Sequence, residues 1–187
     1  MTNILLILIG KTASGKSSIA KILEMKHGFH RIVTTTSRPM RDGETQNIDY
    51  HFISEEEFLD KIENDYFIEY KSYDTSSGIW YYGTSYKSLD TIEDDKNYVI
   101  ILTPDGYKEL ISKATITHKS IYLYSSYSTI MKRLNKRKDF NDSPQRRIDD
   151  DNLKFKGVEF IVDKIVYNNE GEDINKVAEK ILKILEG

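Results

Sequence analysis

Ile4-Leu5-Leu6-Ile7-Leu8-Ile9-Gly10-Lys11-Thr12-Ala13-Ser14-Gly15-Lys16-Ser17 is the stretch whose reading decides the fold. Six consecutive apolar residues without polar alternation fit a strand buried on both faces of a parallel sheet. Gly10 to Ser17 then matches G-x-x-x-x-G-K-[ST] at every fixed position. Residues 17–27 carry Ile19, Ile22, Leu23 and Lys26 at helical spacing, and Gly28 closes them. Strand, glycine-bounded turn and helix follow one another, which is the context that this loop pattern requires.

The chemistry of the loop follows from its residue types. Gly10 and Gly15 let the backbone curl so that several N–H groups can point inward at phosphate oxygens. The helix beginning near Lys16 aims its positive end at the same place. Lys16 is expected to reach the β- and γ-phosphates of a nucleoside triphosphate, and the Ser17 hydroxyl to ligate Mg²⁺. A random chain of this length would match the pattern about once in a few hundred cases, so the match together with its context favours phosphate binding over chance. The loop alone does not name an acceptor.

Outward from the loop, Tyr98 to Leu102, Ser120 to Tyr124 and Lys164 to Tyr167 read as further strands. Helices are expected from Asp105, from Ser126 or Ser128 through Met131 and Leu134, and from Asp173 with Ile174, Val177, Ile181, Leu182 and Leu185 on one face. Residues 31–53 are polar and turn-rich. Ser54-Glu55-Glu56-Glu57 is a capping-box start for a helix carrying Phe58, Leu59 and Ile62. Phe67 to Tyr73 reads as a weak strand and residues 74–84 as a loop. Strands alternating with helices give an α/β fold with a mostly parallel sheet.

The bulk numbers bound the rest. The chain has 187 residues, 39% hydrophobic and 30% charged, with a net charge of −3. That suits a single domain and gives no field that would favour nucleic acid or an acidic membrane surface. Cysteine is absent, so disulfides and thiolate zinc sites are excluded. The opening apolar run is too short to span a bilayer and has no basic leader, so a cytoplasmic protein is expected.

The acceptor is suggested by a second stretch, Thr34-Thr35-Thr36-Ser37-Arg38-Pro39-Met40-Arg41-Asp42-Gly43-Glu44, followed by Asp49-Tyr50-His51-Phe52. Two arginines three apart among hydroxyls can grip a dianionic phosphate, since guanidinium forks onto two oxygens and keeps its charge. Two arginines alone would equally fit a solvated basic loop. The wider pattern T-T-[ST]-R-x-x-R-x-G-E with x-D-Y-x-F resembles the monophosphate-binding segment of guanylate kinases. Phe67-Ile68-Glu69-Tyr70, Tyr81-Tyr82-Gly83-Thr84-Ser85, Arg133-Leu134 with Arg137, Arg147-Ile148 and Ile165-Val166-Tyr167-Asn168-Asn169 resemble further segments of that family in the same order.

The resemblance covers nearly the whole chain. It implies a three-layer fold of the P-loop NTPase type: a core of about 1–32, 86–135 and 158–187, a monophosphate-binding lobe of about 33–85, and a helical lid of about 136–157. It implies phosphoryl transfer from ATP to GMP with Mg²⁺, in a monomer or homodimer whose partners are small nucleotides. Lys16, Arg38, Arg137 and Arg147 would be catalytic. Gly10, Ala13, Ser14, Gly15, Lys16, Ser17, Ser18, Arg133 and Asn168 would bind ATP. Arg38, Arg41, Tyr50 and Tyr82 would hold the acceptor phosphate. Glu69 would accept from N1 and the 2-amino group of guanine, with Thr34, Ser37, Gly83, Thr84 and Thr103 around it.

The sequence also departs from the family. A usual pair of aspartates is replaced by Ile101 and Thr103, Lys11 stands where proline is usual, and the segment between Glu69 and Tyr81 is longer and carries Trp80. The missing aspartates keep another monophosphate, such as dGMP, open as acceptor. A non-catalytic binding module and a phosphorylated-sugar acceptor are the remaining alternatives. The retained loop and arginines weigh against the module, and Glu69 with Tyr81-Tyr82-Gly83 against the sugar.

Overall fold

The computed structural model describes residues 4–75, 77–136 and 143–186. Arg137, assigned a catalytic role above, lies outside the described residues. In chain order the elements begin with β1 (Leu5–Ile9), α1 (Lys16–His27), β2 (Phe29–Arg31), β3 (Thr35–Thr36) and β4 (His51–Phe52). There follow α2 (Glu55–Glu63), β5 (Phe67–Thr75), β6 (Gly78–Ser85), α3 (Tyr86–Asp90), β7 (Asn97–Leu102) and α4 (Pro104–Lys113). The chain continues with β8 (His118–Tyr124), α5 (Tyr127–Lys136), α6 (Pro144–Lys154), a 3₁₀ turn (Val158–Phe160), β9 (Lys164–Tyr167) and α7 (Ile174–Glu186).

Five strands form one sheet in the order β2-β7-β1-β8-β9, with every pairing parallel. β1 is central, and all five of its residues are buried, which is why its sequence shows no alternation. Leu6, Leu8, Val99, Ile121 and Leu123 pack on one face against Ile19 and Leu23 of α1 and Val177 and Ile181 of α7. Leu5, Ile7, Ile9 and Ile100 pack on the other against Tyr107 and Leu110 of α4, with Phe155 and Val158. The result is helix on sheet on helix. Each fully buried Leu or Ile contributes roughly 1.5–3 kcal/mol, so this double-faced core outweighs any single loop contact.

A second sheet has the order β4-β3-β6-β5. Here the structure departs from the sequence expectation. Residues 78–85 form β6 rather than a loop and pair antiparallel with β5, from Phe67 opposite Ser85 to Thr75 opposite Gly78. Aromatic residues on both faces hide the alternation of this strand in the sequence: Trp80 is buried, while Tyr81 and Tyr82 are half-buried. Phe58 of α2 stacks on Phe67 at 4.3 Å and on Tyr81 at 5.4 Å, sealing this sheet. The capping box at Ser54 is formed as expected, with Glu57 N donating to Ser54 Oγ.

Candidate active site

The phosphate-binding loop lies between β1 and α1, at the carboxyl ends of the parallel strands. Ala13 and Gly15 have positive φ, 54° and 101°. At Gly15 the requirement is double, because a Cβ there would lie 2.4 Å from Asn168 Nδ2. Lys16 Nζ donates to Gly10 O at 2.6 Å and Lys11 O at 2.9 Å, bridging the loop from inside. Arg133 and Asn168 brace it from outside. Arg133 Nη1 donates to Ala13 O at 3.1 Å, and Asn168 Nδ2 to Ser14 O at 2.7 Å. The Ser14 hydroxyl is buried and has no hydrogen-bond partner among the described residues.

One cleft of about 1370 Å³, its solvent-open mouth included, runs from this loop to the second sheet. Gly10, Ala13, Gly15, Lys16, Ser17 and Ser18 line the end at the phosphate loop. Thr34, Arg41, Tyr50, Tyr82, Gly83 and Glu69 line its other end. Thr103 lines it at the end of β7 and Arg147 on α6. Ser14, Ser37, Arg38, Thr84, Arg133 and Asn168 are not among the lining residues.

Arg38 shows why. Its guanidinium donates to Pro39 O at 2.6 Å and to both Glu44 carboxylate oxygens at 2.8 and 2.9 Å, and the side chain is 2% exposed. Burial acts to lower its pKa, but Glu44, Tyr82 and Tyr50 together more than offset this, and the pKa is raised. Glu44 also accepts from Arg41 N at 2.8 Å, so one carboxylate sets the geometry of both arginines. Ser37 Oγ accepts from Tyr81 N at 3.0 Å and fastens this segment to β6. Tyr50 and Tyr82 meet edge to face at 6.0 Å.

The far end is closed by Glu69, which is 5% exposed and accepts from Thr84 Oγ1 at 2.6 Å. Burial pushes its carboxyl up to about 7, with the Thr84 hydrogen bond acting the other way. Gly106 leaves room for it, since a Cβ there would lie 2.7 Å from Glu69 Oε2. Thr103 has a second task as the N-cap of α4, accepting from Gly106 N at 3.0 Å.

Sequence reasoning missed Asp151. It sits in a run of charges that looks like any solvated helix face. In the fold, Thr12 N donates to Asp151 Oδ2 at 2.6 Å and Lys11 Nζ to Asn152 Oδ1 at 2.6 Å, so α6 rests on the phosphate loop. Burial raises the Asp151 pKa, while the Thr12 amide and Lys16 act to lower it. Glu44, Gly106 and Tyr73 were missed too; only Glu44, three residues after Arg41, left a readable signal.

The guanylate kinase family model matches residues 2–186. The chain belongs to the guanylate kinase family. It is 27% identical over 184 residues to the guanylate kinase of Fusobacterium nucleatum, covering 97% of this chain and 95% of that one. It is 32% identical over 129 residues to the guanylate kinase of Helicobacter hepaticus, where the match covers 68% of this chain and 62% of that protein, under two thirds of its length. The crystal structure of guanylate kinase from Anaplasma phagocytophilum superposes with a TM-score of 0.71 at 22% identity, over 99% of this chain and 85% of that one, a likeness of fold. Members of this guanylate kinase family are nucleoside monophosphate kinases, which accounts for a cleft with two ends. No helix among the described residues is long and apolar enough to cross a membrane.

Proposed function

We propose that this protein transfers the γ-phosphate of ATP to GMP, giving ADP and GDP. The observation that carries the reading is a buried carboxylate, Glu69, at one end of a cleft whose other end is the phosphate loop with Lys16. Ionised Glu69 can accept from N1 and the 2-amino group of guanine. Adenine offers no such pair of donors and would leave the carboxylate unpaired. Residues of about 33–85 then act as the monophosphate lobe and about 136–157 as the lid, around the remaining core.

An oxygen of the acceptor phosphate attacks the γ-phosphorus, and the bond to the bridging oxygen of ADP breaks. The attacking oxygen is already anionic, so no side-chain base is needed. Lys16 and the loop amides stabilise charge on the donor, Arg41 and Tyr82 orient the acceptor, and Arg147 adds positive charge from the lid. Arg38, held by Glu44, acts from behind Tyr82. Ser17, exposed at the start of α1 in the donor end, fits a Mg²⁺ bound with phosphate oxygens; among the described residues no cluster of three acidic or histidine side chains competes for it. Bound there, Mg²⁺ would supply positive charge against the negative charge of the phosphates.

A second reading keeps the reaction and changes the acceptor to another nucleoside monophosphate, such as dGMP. Ile101 and Thr103 favour it, because both line the cleft without a carboxylate. ADP release with Mg-ATP across a panel of monophosphates tests both. Turnover of GMP above all others is expected. Turnover of dGMP or another acceptor but not GMP would overturn the first reading, and no turnover of any monophosphate would overturn both.

A further inference from the structure

The β5–β6 hairpin extends beyond the acceptor end and meets the lid helix. Tyr73, half-buried on β5, stands at that junction opposite Trp80. Its ring meets Tyr82 edge-on at 5.5 Å and 90°. Lys154 Nζ of α6 lies 3.6 Å from the centre of the same ring, and also donates to Asp150 Oδ2 at 2.9 Å. The Tyr73 hydroxyl faces the Thr103 side chain at the end of β7. One residue on, Arg146 Nη1 donates to Asp74 O at 2.9 Å, a second tie between the same hairpin and the same helix.

One side chain therefore touches the acceptor end through Tyr82, the core sheet through Thr103 and the lid through Lys154. We propose that Tyr73 is a positioning residue that couples filling of the acceptor site to placement of α6, and hence of Arg147. This rests on the reading of the cleft given above. The coupling is physical contact: an acceptor phosphate that fixes Tyr82 fixes the ring edge-packed on it, and a fixed ring gives Lys154 one favoured seat. A cation over an aromatic face is attracted by the ring quadrupole, more strongly as water is excluded. Lys154 is two helical turns beyond Arg147 on a single rigid helix, so seating one seats the other.

The test is a double-mutant cycle on kcat at saturating ATP and GMP, using Tyr73→Ala, Lys154→Met and the pair. Each single change is expected to lower kcat about three- to tenfold, the range of a contact of this kind. The double variant should fall no further than the worse single. Tyr73→Phe, which keeps both ring contacts, should retain most of kcat. Multiplicative losses in the double variant would overturn the proposal, as would losses confined to stability and absent from kcat. If the parent protein turns over no nucleotide, the functional reading fails first, and Trp80, the one tryptophan in the chain, still tests the coupling. The emission change that GMP causes in the parent should be lost in Lys154→Met; its persistence would overturn the coupling.

Discussion

Thr84 Oγ1 donates to Glu69 Oε1 at 2.6 Å, and both residues are buried. The hydroxyl fixes one carboxylate oxygen and leaves Oε2 beside Gly106, where only the absence of a Cβ makes room. The carboxylate proposed to read the base is thus fixed by Thr84 on one side and Gly106 on the other. The cost of that burial appears in its titration.

The acceptor KM should depend on pH through Glu69. Burial raises its folded pKa from 4.5 to about 7. Because the folded value lies above the unfolded one, this group's contribution to stability is fully present below about 4.5 and is lost as pH rises through about 7. Guanine binding has the opposite need, since it requires the ionised form. KM for GMP is therefore expected to fall as pH rises from about 6 to about 8. Glu69→Gln should flatten that dependence and raise KM at pH 8 by about 10–100-fold, the worth of a hydrogen bond to a charged group. Steady-state kinetics across this range check both.

Lys16→Ala should abolish turnover while leaving the fold intact. Lys16 is half-exposed and donates to loop carbonyls, so no core packing is lost. Loss of one charge aimed at the transferring group is expected to lower kcat by about 10²–10³ or more. ADP release and thermal unfolding measured side by side decide it, and an active variant would show the donor end to be misassigned.

Gly15→Ala should act on stability first. The new Cβ would meet Asn168 Nδ2 at 2.4 Å, at a φ of 101° that L residues rarely adopt. Asn168 would have to give up its bond to Ser14 O. A loss of about 2–4 kcal/mol is expected, read by urea unfolding of the variant against the parent.

Asp151→Asn should tighten ATP. The amide keeps an oxygen for Thr12 N and removes a negative charge beside the phosphate loop. A like charge about 4 Å away costs about 1 kcal/mol even in water-like surroundings. KM for ATP should therefore drop about three- to tenfold. An unchanged or increased KM would show that Asp151 helps the donor rather than opposing it.

Local chemistry made part of this protein legible. The all-apolar run of β1, the loop from Gly10 to Ser17, the capping box at Ser54 and the strands at residues 98–102, 120–124 and 164–167 are written in consecutive residues. Periodicity and turn geometry act over the same short range, so sequence determined them. Arg41, Tyr50, Glu69 and Tyr82 were named through the family resemblance of short segments, and all four line the cleft.

Tertiary structure alone decided which of the named residues face the cleft. Arg38 turns to Glu44 and Asn168 to Ser14 O, because burial forces each to find partners close by, and the half-buried Arg133 turns to Ala13 O. Asp151 and Tyr73 gain their meaning from residues far along the chain, Thr12 and Lys154. Residues 78–85 became a strand because β5 and β3 were there to pair with them on either side. Contacts between distant segments depend on how the chain returns on itself, and no local pattern of charge or apolar spacing encodes that return.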